Sequence, residues 1–413
     1  MIFRAYRVEL DPNNVQRTAM LRHAGAVRFI YNWGLAEVTK SYQERKAATP
    51  EGQKVTGALR PLDMKARLPS LKEGAFPWLK EVTAQSLQSA LCNLDKAFQG
   101  FFRRVRAGQT PGYPKFKKRG VSKPSFQFPQ NTSVTSTHIR LPKIGAVRLK
   151  QHGYVPTGVP LKTVTVSETA GRWFATVLVE IPDLPKVVTT GEVIGVDLGI
   201  KTLAVLSDGT NYTNPKHLEH SQNKLKHLQR KLNRQQKGSH RRAKTKARIA
   251  KVHARIASQR NDNIHKMTTG IVKTKRPSVV VLEDLNVSGM VENHKLALSV
   301  SSASFSEIRG QLTYKCEWYG VKLVAADRFY PSSKTCSQCG SVKGDLTLGD
   351  RVYVCDACGH TQDRDLNAAL NLRDWGVKFL TGGAPVTARG GDVRLEGTQA
   401  DPDETRTDLR MAS

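Results

Sequence analysis

Acidic residues are scarce in this chain of 413: 35 Asp and Glu stand against 65 Lys and Arg, a formal net charge of +30. An excess of that size repels itself in a compact state and is ordinarily carried to meet a polyanion. No apolar run reaches transmembrane length and no signal peptide opens the chain, so the charge points to nucleic acid rather than to an acidic membrane surface. A soluble intracellular protein with no membrane partner is expected. Cysteine is also sparse, at six, and nothing suggests an oxidising compartment. What remains is ample: 39% hydrophobic residues over this length bury a sizeable core and make two or three domains.

Four of the six cysteines form Cys336-x2-Cys339-x15-Cys355-x2-Cys358, with Gly340 and Gly359 directly after each pair. Two such knuckles supply four thiolates to one tetrahedral Zn²⁺, and a site with all four positions filled is structural rather than catalytic. Cys92 and Cys316 fall on apolar helix faces and read as inert core residues.

The chemistry is expected elsewhere. Glu192 to Leu206 reads as a strand, a tight turn and a second strand, with one carboxylate, Asp197, in an otherwise buried run. Such an acid is costly unless a cation pairs with it. Pro277 to Asn286 repeats the arrangement, a β-branched strand ending in Glu283, and Asp363 and Asp365 open a helix rich in Ala and Leu. Three separated acids on strand ends and a helix start can converge on hard cations such as Mg²⁺. Two ions about 4 Å apart form the clamp that drives in-line phosphodiester hydrolysis.

From the start of the chain, alternation over residues 2–10 predicts a strand, and Asp11-Pro12 predicts a helix start for a segment running to about Tyr42. Residues 46–77 read as short helix and loop. From Trp78 to Val105 the positions Leu87, Leu91, Leu94, Phe98, Phe101, Phe102 and Val105 make one helical stripe, with Gln85 and Gln88 opposite, placed to read adenine edges. Arg103, Arg104, Tyr113, Lys115, Phe116, Lys117 and Lys118 interleave aromatics with bases, which suits nucleotide stacking and phosphate tracking. Between about 125 and 182 the period becomes two, and with the first strand this predicts a small β-barrel carrying the helices of about 11 to 110 as an insertion. Pro182 to Pro185 reads as a linker. Residues 216–275 predict a helical hairpin broken at Lys237-Gly238-Ser239, with Lys224, Arg230, Lys231, Arg234, Arg241, Arg242, Arg248 and Arg255 on its surface and almost no acids to offset them. That hairpin suits a phosphate backbone. The tail from 381 is too polar to order itself.

Gly195-Val196-Asp197-Leu198-Gly199, the Glu283 strand, the four-cysteine knuckles and Asp363-Arg364-Asp365-Leu366-Asn367-Ala368-Ala369 occur in the order that resembles transposon-encoded TnpB proteins, compact relatives of type V CRISPR nucleases. The similarity spans nearly the whole chain, including Arg28 to Asn32 and Pro114 to Lys117. It implies a multidomain α+β protein: a wedge β-barrel (1–10 and 111–186), a helical recognition insertion (11–110), and a RuvC nuclease domain of RNase H-like fold (187–329 and 363–380). The RuvC domain carries the basic hairpin and an inserted zinc ribbon (330–362), and 381–413 form a disordered tail. The resemblance also implies catalytic, Mg²⁺-holding acids at Asp197, Glu283 and Asp365, the last preferred to Asp363 because the family's acid stands two residues before the Asn. Its implied partners are a guide RNA from the transposon end and a double-stranded DNA target beside a short motif, in the cytoplasm of a prokaryotic cell, with a monomer favoured. The competing reading is a non-cleaving guided DNA-binding protein or an accessory transposition factor, and the intact acid trio weighs against it. A strand-joining transposase lacks its nucleophile motif.

Overall fold

The computed structural model describes residues 2–50, 53, 55–183, 188–294, 297–347 and 349–382. These fall into two compact units that divide between Pro182 and Asp183. The tail from 383 and half of the linker at 182–185 lie outside the described residues. Among the described residues, no helix is long and apolar enough to cross a membrane.

The first unit is built on β1 (Ile2–Asp11), which pairs antiparallel with β7 (Arg172–Ile181) from Ile2 opposite Ile181 to Leu10 opposite Trp173. Around this pair lie β2 (Ser125–Phe128), β3 (Ser133–Val134), β4 (His138–Leu141), β5 (Gly145–Leu149) and β6 (Leu161–Thr169), in the order β2-β6-β7-β1-β5-β4-β3. Ala170 and Gly171 join β6 to β7 with φ of +54° and +81°, a two-residue loop whose twist matches that of the strands. The barrel expected from the sequence is corrected here: the seven strands form one sheet with β2 and β3 as its ends, and among the described residues no ladder closes it. Period-two patterning fixes which side chains face inward but carries no information on whether the end strands meet.

Three α-helices, α1 (Asn14–Ala48), α2 (Leu68–Glu73) and α3 (Ala84–Arg106), with short 3-10 turns at Asp63–Arg67 and Pro77–Glu81, complete the described part of the unit. Asn13, not Asp11, caps α1: its side chain accepts from the Gln16 amide at 2.8 Å while the Gln16 side chain accepts from the Asn13 amide at 3.1 Å. The helix also runs six residues past Tyr42. The helix that carries the predicted stripe starts at Ala84 rather than at Trp78, and Leu87, Leu91, Leu94 and Phe98 share one core with Met20 and Ile30 of α1 and with Phe126, Val164, Trp173 and Val177 of the sheet. Helices and sheet therefore bury a common apolar interior.

The second unit has a five-stranded sheet in the order β10-β9-β8-β11-β12, made of β8 (Val193–Asp197), β9 (Thr202–Leu206), β10 (Asn211–Thr213), β11 (Val279–Glu283) and β12 (Lys322–Ala326). β9 runs antiparallel to β8 and β10 antiparallel to β9, whereas β8, β11 and β12 run parallel to one another. β11 lies between two parallel neighbours and is covered on both faces, hence the unbroken Val279-Val280-Val281-Leu282. On one face Val280 and Leu282 pack with Ile264, Met267, Ile308 and Leu312, from α5 (His240–Thr269) and α8 (Phe305–Tyr319). On the other, Val279 and Val281 meet Leu372 and Trp375, both on the final helix. Ahead of α5 stands α4 (His217–Asn233), and between β11 and α8 stand α6 (Val287–Glu292) and α7 (Ala297–Ala303). A two-stranded ribbon of β13 (Val352–Val354) and β14 (Thr361–Asp363) leads directly into α9 (Arg364–Leu380).

Candidate functional site

Asp197 is the last residue of β8 and Glu283 the last of β11. The two strands are parallel neighbours in the register Val281 to Gly195 and Leu282 to Val196, so the next step along both sets Glu283 beside Asp197. Asp365 reaches the same place from the first turn of α9. Burial pushes the Asp197 carboxyl well above the usual range, and the charges of Glu283, Asp365 and Asp363 push it further, against the pull of Arg364. Burial also raises Glu283, offset by a hydrogen bond donated by the Ser332 hydroxyl and by the charge of Arg364. Like charges are thus gathered where solvent screens them poorly, a state that a divalent cation relieves.

Close packing of α9 on β8 makes this convergence possible. A Cβ on Gly195 would run into the Ala369 carbonyl oxygen and lie 2.5 Å from the Arg373 amide, and one on Gly376 would strike Val281. The two glycines let helix and sheet meet backbone to backbone, which brings Asp365 over the strand ends. Asp363 plays a different part, since its carboxylate accepts from the Asp365 and Leu366 amides, both at 3.0 Å, and so caps α9. Asp284, next to Glu283, is filled by Arg309 Nη1 at 2.6 Å and by Arg328 through Nε at 3.1 Å and Nη2 at 2.6 Å. Arg309 first, then Arg328, holds it below the usual carboxylate range.

The four predicted cysteines do come together. Their sulfurs all lie within 4.8 Å of one another, with Cys336 to Cys358 at 3.8 Å and Cys339 to Cys355 at 3.5 Å. Tetrahedral Zn²⁺ with Zn–S of about 2.3 Å sets its sulfurs about 3.8 Å apart, so the donor set and its spacing fit zinc. The knuckles repeat one geometry: the Gly340 amide donates to Cys336 O and the Gly359 amide to Cys355 O, with φ of +77° and +71° that glycine alone adopts without strain. The Ser341 hydroxyl, then backbone amides, bring the Cys355 thiol down to about 5. Among the described residues no carboxylate group gathers this tightly. Asp197, Glu283 and Asp365 are half-buried and offer hard oxygen donors of the kind Mg²⁺ takes.

Several residues that hold the site carry no recognisable sequence signal. Asn367 Nδ2 donates to Thr335 O at 2.7 Å and its Oδ1 accepts from the Ser337 amide at 2.9 Å. Asn371 donates to both Ser332 O and Thr335 O. Together they tie α9 to the root of the cysteine module. Arg364 is anchored on the Thr347 and Asp350 carbonyls at 2.9 and 3.3 Å. Only its place between two acids, and the polar run Ser332-Ser333-Lys334-Thr335 ahead of Cys336, hinted at these contacts.

The predicted nucleic-acid contacts divide. Lys224, Arg230, Lys231, Arg234, Arg241, Arg248 and Arg255 are exposed on α4 and α5, and among the described residues none makes an ion pair. Arg242 is half-buried, and its guanidinium donates to the Leu232 and Gln235 carbonyls and closes the end of α4. In the first unit Gln88, Arg103, Lys115, Phe116 and Lys118 are exposed. Gln85 is half-buried, its Oε1 buried without a partner, and Arg104 donates to Gly112 O at 3.2 Å. Tyr113 and Lys117 are half-buried and already engaged within the protein. The Tyr113 ring packs edge-on against Phe98 and Phe101 at 5.6 and 5.5 Å. Lys117 lies 4.0 Å over the Tyr31 ring, with its backbone held on both sides by Asn32.

Comparison with known proteins agrees along the chain. Residues 176–294 match a family described as OrfB_IS605, probable transposase, residues 305–372 match the Cas12f1-like TNB domain, and residues 1–47 match a helix-turn-helix domain. Over that last stretch the fold is a strand and one unbroken helix. A putative RNA-guided DNA endonuclease of Streptomyces pristinaespiralis is 36% identical over 95% of this chain and 92% of its own length. The putative RNA-guided DNA endonuclease InsQ of Escherichia coli K12 is 32% identical over 96% and 97%. CasPhi-2 (Cas12j) bound to crRNA aligns over 91% of this chain and 98% of its own at 10% identity, with a TM-score of 0.43. With identity above 30% sustained across nearly the full length of these relatives, the chain belongs to the TnpB family.

Proposed function

We propose that this protein is an RNA-guided DNA endonuclease encoded by a transposable element, which cuts double-stranded DNA beside a short target-adjacent motif by Mg²⁺-dependent phosphodiester hydrolysis. The observation that carries the reading is the meeting of Asp197, Glu283 and Asp365, distant in sequence, at the ends of β8 and β11 and the start of α9. Full-length similarity to putative RNA-guided DNA endonucleases supports it. In this reading the second unit is a RuvC domain of RNase H-like fold over 187–329 and 363–380, with the zinc ribbon at 330–362. The first unit is the wedge and its helical recognition element, which holds the guide RNA.

Asp197, Glu283 and Asp365 would hold two Mg²⁺ ions, which supply Lewis-acid polarisation of the scissile phosphate and a water nucleophile of lowered pKa. The Ser332 hydroxyl orients Glu283, and Arg364 tempers the carboxylate repulsion from a fixed anchor. Asp363 holds the first turn of α9 so that Asp365 points inward. The exposed cations of α4 and α5 grip a phosphate backbone and leave sequence reading to base pairing with the guide.

The test is reprogramming. Protein expressed with the transposon-end RNA should cut a plasmid only where guide match and adjacent motif coincide, and a changed guide should move the cut. Cutting that stays at one site, or that survives RNase treatment before assembly, would replace this reading with an unguided nuclease. Guide-directed binding with no cutting would point to the non-cleaving reading.

A further inference from the structure

We infer that Phe329 is a stacking platform for one base of the DNA strand being cut, which makes it a substrate-positioning residue beside the acids. The inference rests on the nuclease reading above and deepens it. At 88% exposure Phe329 is the barest large apolar side chain among the described residues. A lone exposed apolar residue ordinarily needs no explanation, but the mounting of this one does.

Phe329 sits in a turn fixed at both ends to the end of β11. On one side the Arg328 guanidinium forks onto Asp284, the neighbour of Glu283. On the other, Ser332, itself buried, donates its hydroxyl to Glu283. Between these anchors the Phe329 amide donates to Asp327 Oδ1 at 2.8 Å, the Tyr330 amide to Asp327 O at 3.0 Å and the Ser332 amide to Tyr330 O at 2.8 Å. The Tyr330 hydroxyl reaches inward to Asn371 O at 3.3 Å. Arg328, Tyr330 and Ser332 are thus committed to the protein, while the ring between them is held in water. A slack loop would let the ring collapse onto the surface, and this hydrogen-bonded turn does not.

What covers the ring follows from its surroundings. Its exposed neighbours in the chain are the charged Asp327 and Arg328 and one small apolar residue, Pro331, whereas the core of a protein-binding patch is poor in charged residues. A single flat apolar ring in a charged setting suits a nucleobase, which brings its own π-face and needs no particular sequence. Cavities of about 910 and 360 Å³ adjoin the site, and both are lined by Glu283, Asp284 and Arg328. Phe329 lines neither cavity, but Arg328, its neighbour in the chain, lines both, so nucleotides that flank a base on the ring have room beside Glu283.

The experiment uses the full chain assembled with its RNA, and compares Phe329→Ala, Phe329→Leu and Phe329→Trp. Loss of one stacked base should raise KM for cleavage roughly 5- to 100-fold in Phe329→Ala and Phe329→Leu, with kcat nearly unchanged and Phe329→Trp close to wild type. In an Asp197→Ala background, a single-stranded DNA containing 2-aminopurine should lose fluorescence on binding when Phe329 is present and keep it when Ala replaces it. Wild-type KM in Phe329→Leu, a fall in kcat alone, or weakened RNA assembly in Phe329→Ala would each overturn the inference. A wild-type protein that cuts no DNA would sink the nuclease reading instead, since the fluorescence arm needs only binding.

Discussion

At the scale of single residues, the acids near the end of β11 and the start of α9 are sorted by what already holds them. Asp363 is spent on amides and Asp284 on two arginines, whereas Asp197 feels the charges of Glu283 and Asp365 and neither of the latter two is held by a cationic side chain among the described residues. Replacing any one of these three by Ala should lower plasmid linearisation below detection with RNA binding intact. Asp363→Ala should instead lose about 1 kcal/mol of helix stability and still cut. Burial of His23, with a smaller push from Lys143 and against its bond to Ala19 O, depresses its pKa. The unfolded chain then takes the proton first, so stability is full above about 6.5 and falls as pH drops below it, by up to about 1.4 kcal/mol per unit. The thermal midpoint should therefore fall more between pH 7.5 and 5.5 in the wild type than in His23→Gln, and equal falls would remove His23 as the cause. The sequence exposed the acids because a carboxylate in a β-branched run is locally conspicuous. It hid Tyr113, Lys117 and Arg242 because their partners, Phe98, Tyr31 and the end of α4, are supplied by tertiary packing.

At the scale of elements, β8, β9 and β11 of the second unit were legible because their sheet is covered, which leaves continuous apolar runs, whereas the short β10, α6 and α7 carry no such run and were not read. The start of α1 was misplaced for a local reason: Asp11-Pro12 imitates a cap, while the reciprocal Asn13–Gln16 pair lies two residues on. Closure of the first sheet was not legible, since alternation is the same in an open sheet and a closed one. Two glycines show how element packing governs the site. Gly195→Ala would push a methyl into the backbone of α9 and should lower the melting temperature of the second unit together with cleavage. Gly25, in the middle of α1, has nothing within 4 Å of where a Cβ would go, so Gly25→Ala should stabilise by roughly 0.5–1 kcal/mol. Thermal melts of both variants check the pair, and equal responses would mean that the contact on α9 does not matter.

At the scale of the whole molecule, the +30 charge is distributed unequally in use. Exposed cations on α4 and α5 should set the salt dependence of duplex binding, with log K falling linearly in log salt. Changing Arg241 and Arg248 together to Gln should flatten that slope by about 2, while Arg242→Gln should leave it unchanged and lower thermal stability, because that guanidinium closes a helix. Titrations at several salt concentrations separate the two. The placement of Asp365 at the head of α9 bears also on synthesis. Translation delivers the first unit and the basic hairpin early, but the third acid emerges only after the four-cysteine module has left the ribosome. A nascent chain, or any product that stops short of residue 365, lacks Asp365 and, on the proposed function, should hold nucleic acid without cutting it. On the proposed function, the order of residues along the polypeptide would withhold cutting until synthesis is nearly complete, and a fragment ending at residue 329 should bind RNA and leave DNA uncut.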